Sequence, residues 1–221
     1  MCGRFALYQD SESLQDEFAL SYAPEVLANY NITPQRMILT IVMDQEEPIP
    51  VYLRWGFIPH WSAKSKTDYR MINARIEGAW ERQAFKSAMR YRRCLVPASG
   101  FYEWKKYNSE KIPHYITVQN SNIFAMAGIW DSWRDNNSGE IIESCAILTT
   151  AAQGTAAWIH ERMPVIIQSS GYAPWLNPAI QTRKELEIIT APENALTAWP
   201  VSRLVNNPRN NSPELIIPHE Q

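Results

Sequence analysis

Cys2 follows Met1 in the opening Met1-Cys2-Gly3-Arg4, and its position decides its chemistry. Removal of Met1 would turn it into a 1,2-aminothiol. The α-amine, with a reference pKa of about 8, is partly neutral at physiological pH, and the thiol, at about 8.5, can be drawn toward thiolate by a cation such as Arg4. An amine condenses with a carbonyl to give a Schiff base, and a thiol on the same residue can close onto the imine carbon to give a thiazolidine. The natural target of such a pair is an aldehyde. Taken alone, a cysteine here is usually just a residue near a frayed terminus, so the reading depends on what the rest of the chain brings to it.

The chain has 221 residues, 45% hydrophobic and 20% charged, with nine Trp and ten Tyr spread along it. That composition specifies a globular core, and no linker divides it, so one domain over 1–221 is expected. There is no basic stretch followed by an apolar export signal and no long uncharged apolar run, so a soluble, cytoplasmic protein without a membrane span is expected. Cys2, Cys94 and Cys145 make an odd set with no C-x-x-C pair, which suits free thiols in a reducing compartment. His60, His114, His160 and His219 show no ligand spacing with them, and neither metal nor cofactor is expected. The net charge is −2 with a pI near 6.1, which excludes attraction to nucleic acid by the field of the whole protein. Any polyanion site must be local, and Arg4, Arg75, Arg162 and the run Arg90-Tyr91-Arg92-Arg93 are the candidates. The run reads equally well as a solvated helix end.

The elements that would position these residues follow from periodicity and turn chemistry. Strand-like Cys2 to Tyr8 leads to a short helix marked by Ser13, Asp16 and the stripe Leu14, Phe18 and Tyr22. A loop through Asn29 to Pro34 precedes strands over Arg36 to Met43 and Pro50 to Phe57, with an acidic turn between them. The second strand runs into Trp55-Gly56-Phe57-Ile58-Pro59-His60-Trp61, where Gly and Pro break the ladder. Ser62 to Tyr69 reads as a mobile loop and Glu77 to Arg90 as a helix with Trp80, Ala84 and Ala88 buried. Short runs over 94–97, 100–106, 113–119, 123–130 and 141–149 then predict an antiparallel, barrel-like meander. A short helix to Trp158, a strand from Met163 to Gln168 and a helix from Thr182 to Ile189 complete an α+β fold. No repeat is present.

Seven segments in order resemble the SOS response-associated peptidase (SRAP) family across almost the whole chain. They are Met1 to Phe5, Tyr30-Asn31-Ile32-Thr33-Pro34, Trp55 to Trp61, Ile72-Asn73-Ala74-Arg75, Gly100-Phe101-Tyr102-Glu103-Trp104, His160-Glu161-Arg162-Met163-Pro164 and Val201-Ser202. Gly78 departs from the threonine common in the family, at a position outside the chemistry. The resemblance implies the SRAP fold and a monomer that senses abasic sites in single-stranded DNA, nucleoid-associated if bacterial. Mature Cys2 would form a thiazolidine with the ring-opened sugar aldehyde.

The implied site adds three residues to Cys2. Carbinolamine formation and dehydration need one proton delivered to oxygen and another taken from nitrogen, work suited to a carboxyl group in an enclosed site. Glu103, among Phe101, Tyr102 and Trp104 on a strand, fits it, the alternative being a solvent-facing strand residue. His160 would hold the sugar oxygen or accept a proton, or else cap a helix. Asn73 would orient the aminothiol without adding charge, or else serve as a turn residue. Arg4, Arg75 and Arg162 neighbour these residues in sequence, and their forks suit phosphates, with ion pairing to Glu77 or Glu161 as the alternative. Trp61 and Pro34, on irregular segments, would stack or wedge against DNA, or belong to the core. The same residues also allow a peptidase with the Cys2 thiol as nucleophile, His160 as base and Asn73 as oxyanion donor, and a simple single-strand binding module.

Overall fold

The structure is a computed structural model that describes residues 2–63, 71–190 and 195–219. The expected loop from Ser62 to Tyr69 lies mostly outside the described residues. In chain order the elements are β1 (Phe5–Leu7), α1 (Ser11–Phe18), β2 (Asn29–Ile32), β3 (Met37–Asp44), β4 (Glu47–Trp55), β5 (Asn73–Arg75), α2 (Ile76–Ala79), α3 (Lys86–Tyr91), β6 (Arg93–Ala98), β7 (Gly100–Tyr107), β8 (Glu110–Val118), β9 (Phe124–Arg134) and β10 (Ile141–Ala151). They continue with α4 (Gly154–Ala157), β11 (Arg162–Pro164), β12 (Ile166–Ile167), α5 (Tyr172–Leu176), α6 (Arg183–Ile189) and β13 (Leu196–Pro200).

Five strands close on themselves: β10 pairs with β4, β4 with β3, β3 with β6, β6 with β9, and β9 with β10. Closure removes the sheet edges, as in small barrels. The expected α+β barrel is present, with one seam that is not antiparallel, because β10 runs parallel to β4 and to β5. Every residue of β6 is buried. It carries no apolar/polar alternation because both its faces are covered. A second sheet, in the order β13-β8-β7-β1-β2, brings the N-terminal strand alongside the strand that carries Glu103.

Local signals missed several boundaries. The cap of α1 is Asp10, whose carboxylate accepts from Ser13 N–H at 2.7 Å, and the helix stops at Phe18 because Ala19 turns left-handed at φ 50°. Tyr22 is therefore off the stripe and exposed. The helix expected over 77–90 is two pieces, α2 and α3. Phe85 is drawn out between them to pack edge-on against Phe57 with centroids 5.4 Å apart, and Gly78 weakens the first piece. The strand expected from Met163 divides at Val165, whose N–H bonds to Leu148 O while its own carbonyl accepts from Ala127, so that β11 joins β10 and β12 joins β9. Asn29 to Ile32, expected as loop, is β2, recruited by pairing to β1.

The basic run is largely architectural. Arg93 is buried, and its guanidinium donates to the carbonyls of Met89, Arg90, Trp175 and Asn177 at 2.8, 2.8, 2.6 and 2.5 Å. It thus caps the end of α3 and ties it to α5, and burial lowers its pKa to about 10. Arg93→Met keeps the apolar stem but leaves these buried acceptors without a donor. We expect a loss of about 3 kcal/mol in stability, read as a lower urea midpoint, and a change below about 0.5 kcal/mol would contradict the assignment.

Candidate active site

Cys2 is fully buried just ahead of β1, and its thiol donates a weak bond to Arg4 O at 3.8 Å. β5, held parallel against β10, presents Asn73 to it, and Asn73 Nδ2 donates to the Cys2 carbonyl at 2.7 Å. Asn73 Oδ1 is buried with no hydrogen-bond partner among the described residues. An acceptor left so is costly, by about 1–3 kcal/mol, and is a ready seat for an N–H donor. On the other side β7 supplies Glu103, only 4% exposed, with His114 as its cross-strand partner on β8. Burial first, and the charge of Glu103 second, push the Cys2 thiol well above its ordinary range. This overturns the expectation that Arg4 draws it toward thiolate, because the Arg4 guanidinium faces elsewhere.

Gly100 explains how β7 reaches this position. A Cβ there would fall 2.1 Å from Cζ of Tyr115, so only glycine lets β7 lie over that ring. Tyr102, one residue before Glu103, is locked by donating its hydroxyl to Tyr30 O at 2.7 Å.

His160 stands between α4 and β11, and its Nδ1 accepts from Arg162 N–H at 3.0 Å. The same nitrogen also lies 3.2 Å from Arg162 O. His160 and Glu103 line one cavity of about 690 Å³ together with Trp104, Ile159 and Glu161. The fold therefore links Cys2 to Asn73 by contact, to Glu103 by charge, and Glu103 to His160 by a shared cavity.

The arginines divide. Arg4 donates to Asn31 Oδ1 at 2.7 Å and to Val205 O at 2.6 Å, and its guanidinium lies 5.9 Å from the Trp104 ring centroid. It braces the C-terminal segment against β2. Arg162 makes the ion pair weighed as the alternative: its fork meets both oxygens of Glu77 at 2.7 and 2.9 Å and also donates to Thr149 O at 2.6 Å. Those hydrogen bonds are the main cause of the lowered Glu77 pKa. Arg75 is exposed at the end of β5, and its charge also acts on Glu77, so these two cations do gather. Trp61 is 52% exposed, which removes the core alternative. Pro34 sits half-buried in a turn whose next residue, Gln35, has φ 70° and donates its N–H to Trp55 O at 2.7 Å.

Two supporting residues had no role assigned from the sequence. Asn31 fastens the C-terminal segment, its Nδ2 donating to Asn207 O at 3.1 Å and Asn210 O at 2.8 Å. Asp131, buried on β9, accepts from His60 N–H at 3.0 Å and binds His60 Nδ1 at 2.9 Å and Arg92 at 3.1 Å. With Trp133 Nε1–H donating to Ser62 O at 2.8 Å, it pins the backbone on both sides of Trp61 while leaving the ring exposed. An acid within the apolar run Ile129 to Trp133 was the available signal for Asp131. Among the described residues no His, Cys, Asp and Glu cluster could hold a metal ion, and no helix is long and apolar enough to cross a membrane.

A buried Cys2 held by Asn73, with Glu103 close to it and His160 lining the Glu103 cavity, defines a class. The profile of the SOS response associated peptidase (SRAP) family matches residues 1–208, and the chain belongs to that family. It is 39% identical to the abasic site processing protein YoqW of Bacillus subtilis, over 99% of this chain and 100% of that protein. It is 35% identical to the abasic site processing protein HMCES of Xenopus tropicalis, over 77% of this chain and 58% of that protein. A crystal structure of a Bacteroides thetaiotaomicron protein superposes with a TM-score of 0.88 at 24% identity, covering 99% of this chain and 100% of that one, which establishes the shared fold.

Proposed function

We propose that the protein processes abasic sites in single-stranded DNA by joining its mature N-terminal Cys2 to the sugar aldehyde as a thiazolidine, acting as a cytoplasmic monomer. The observation that carries this is the enclosure of Cys2 by Asn73 and Glu103, with His160 across the same cavity as Glu103. Relatives named abasic site processing proteins supply the substrate class. In the proposed sequence the α-amine attacks the aldehyde carbon and a proton reaches the carbinolamine oxygen. Water leaves, and the thiol adds to the imine carbon while its proton passes to nitrogen. The Asn73 carboxamide suits both ends of this path: Nδ2 fixes the Cys2 carbonyl, and Oδ1, buried without a partner among the described residues, would accept from the amine or the ring N–H. A thiol that burial keeps protonated reacts second, once the imine is a strong electrophile.

Denaturing gels test the proposal. An oligonucleotide with an abasic site should give a heat-resistant adduct of one protein per strand, and the same sequence without the lesion should give none. A protein that binds both equally and crosslinks neither is a binding module instead.

Glu103→Gln retains shape and removes the titratable proton. Adduct formation should slow by about 10²–10⁴ with DNA affinity and fold intact, which is the range of general acid-base catalysis. Unchanged forward and reverse rates would leave the proton transfers to His160 or to solvent.

A further inference from the structure

We propose that the β7–β8 hairpin carries a phosphate-binding subsite, built on Lys106 and Lys111, for the strand that flanks the reacting sugar. The inference rests on the single-strand reading above. Register pairs Lys106 directly with Lys111, so two ammonium groups stand opposite each other, an arrangement that repels in the absence of an anion. Among the described residues neither makes an ion pair or hydrogen bond. Glu110, next in sequence to Lys111, is taken by Arg203.

Both lysines open on the cavity that holds Glu103 and His160. Strand alternation puts Trp104 on the same face as Lys106 and its partner Lys111. Its ring is fixed, with Nε1–H donating to Asn206 Oδ1 at 2.8 Å and Arg4 against the ring. A rigid aromatic followed by two cations is what single-strand grooves use, a base on the ring and a phosphate on the charges. Glu161 also lines the cavity, next in the chain to His160. Lys106 lies three residues beyond Glu103, about 10 Å along a strand, which separates Glu103 from the cations and places the phosphate beyond the reacting nucleotide.

The test uses an oligothymidylate without any lesion, so that binding is read apart from chemistry. Lys106→Gln/Lys111→Gln should weaken binding and lower the slope of log affinity against log salt by about 0.7, the share of one phosphate contact on a single strand. Lys106→Arg/Lys111→Arg should keep the wild-type slope, which separates lost charge from lost structure. A scan with single methylphosphonate linkages on an oligonucleotide carrying one abasic site should find a position beside the lesion where the wild type loses affinity and the glutamine variant loses no more. An unchanged slope, or a scan profile identical in the two proteins, overturns the subsite. Wild-type crosslinking run in parallel reports separately on the aminothiol: its absence sinks that chemistry and leaves the slope comparison to decide the lysines.

Discussion

An extra residue retained ahead of Cys2 should abolish adduct formation completely, while binding to undamaged single strands should stay close to wild type. The nitrogen of Cys2 is then an amide, whose lone pair is delocalised into the carbonyl, and it is no nucleophile. Cys2 is fully buried and its carbonyl is held by Asn73 at 2.7 Å, so the nucleophile has to come from Cys2 itself. Intact mass provides the control by showing which protein retains the added residue. The same logic sets the sign of the pH dependence. The amine reacts when deprotonated, so with a reference pKa of about 8 the rate of imine formation rises with pH through that region. The thiol, pushed up by burial and by Glu103, contributes no inflection below it. A protein shown to keep its extra residue that still crosslinks at full yield would falsify the aminothiol mechanism.

Cys2→Ala separates the two nucleophiles. Loss of Met1 still exposes a primary amine, so the variant should form an imine with the aldehyde but cannot close the ring. An imine hydrolyses, and without reductant no lasting crosslink should be seen on a denaturing gel. Borohydride present during the reaction should trap a secondary amine, giving a covalent band that wild-type chemistry does not require. Glu103→Gln on this background should still lower the trapped yield, since the proton transfers precede ring closure. If no trapped species forms, with the N-terminal alanine and DNA affinity both confirmed, the amine does not attack first and the thiol makes the first bond.

The sequence by itself determined the parts that rest on local chemistry or on whole motifs. The position of Cys2 after Met1 named the aminothiol, and the short β-branched runs between turns named an α+β barrel. Ordered segments from Met1 to Ser202 identified the family. Gly78, Phe85 and Ala19 show where this legibility ended: helix boundaries depended on what Phe57 and the barrel surface offered to distant side chains, which no local period records.

The tertiary structure alone decided which charges are committed to the fold. Arg4 and Arg162 look alike in sequence to Arg75, yet Arg4 is clasped by Asn31 and Val205 and Arg162 by Glu77 and Thr149, while Arg75 is exposed. Arg93 likewise turns from a candidate phosphate contact into the cap of a helix. It also decided the state of the Cys2 thiol. Sequence places Arg4 nearby and suggests a thiolate, but the folded chain turns that guanidinium away and puts Glu103 close instead. Electrostatics depends on distance and on the solvent excluded between charges, and both are set by residues about 30 to 200 positions away.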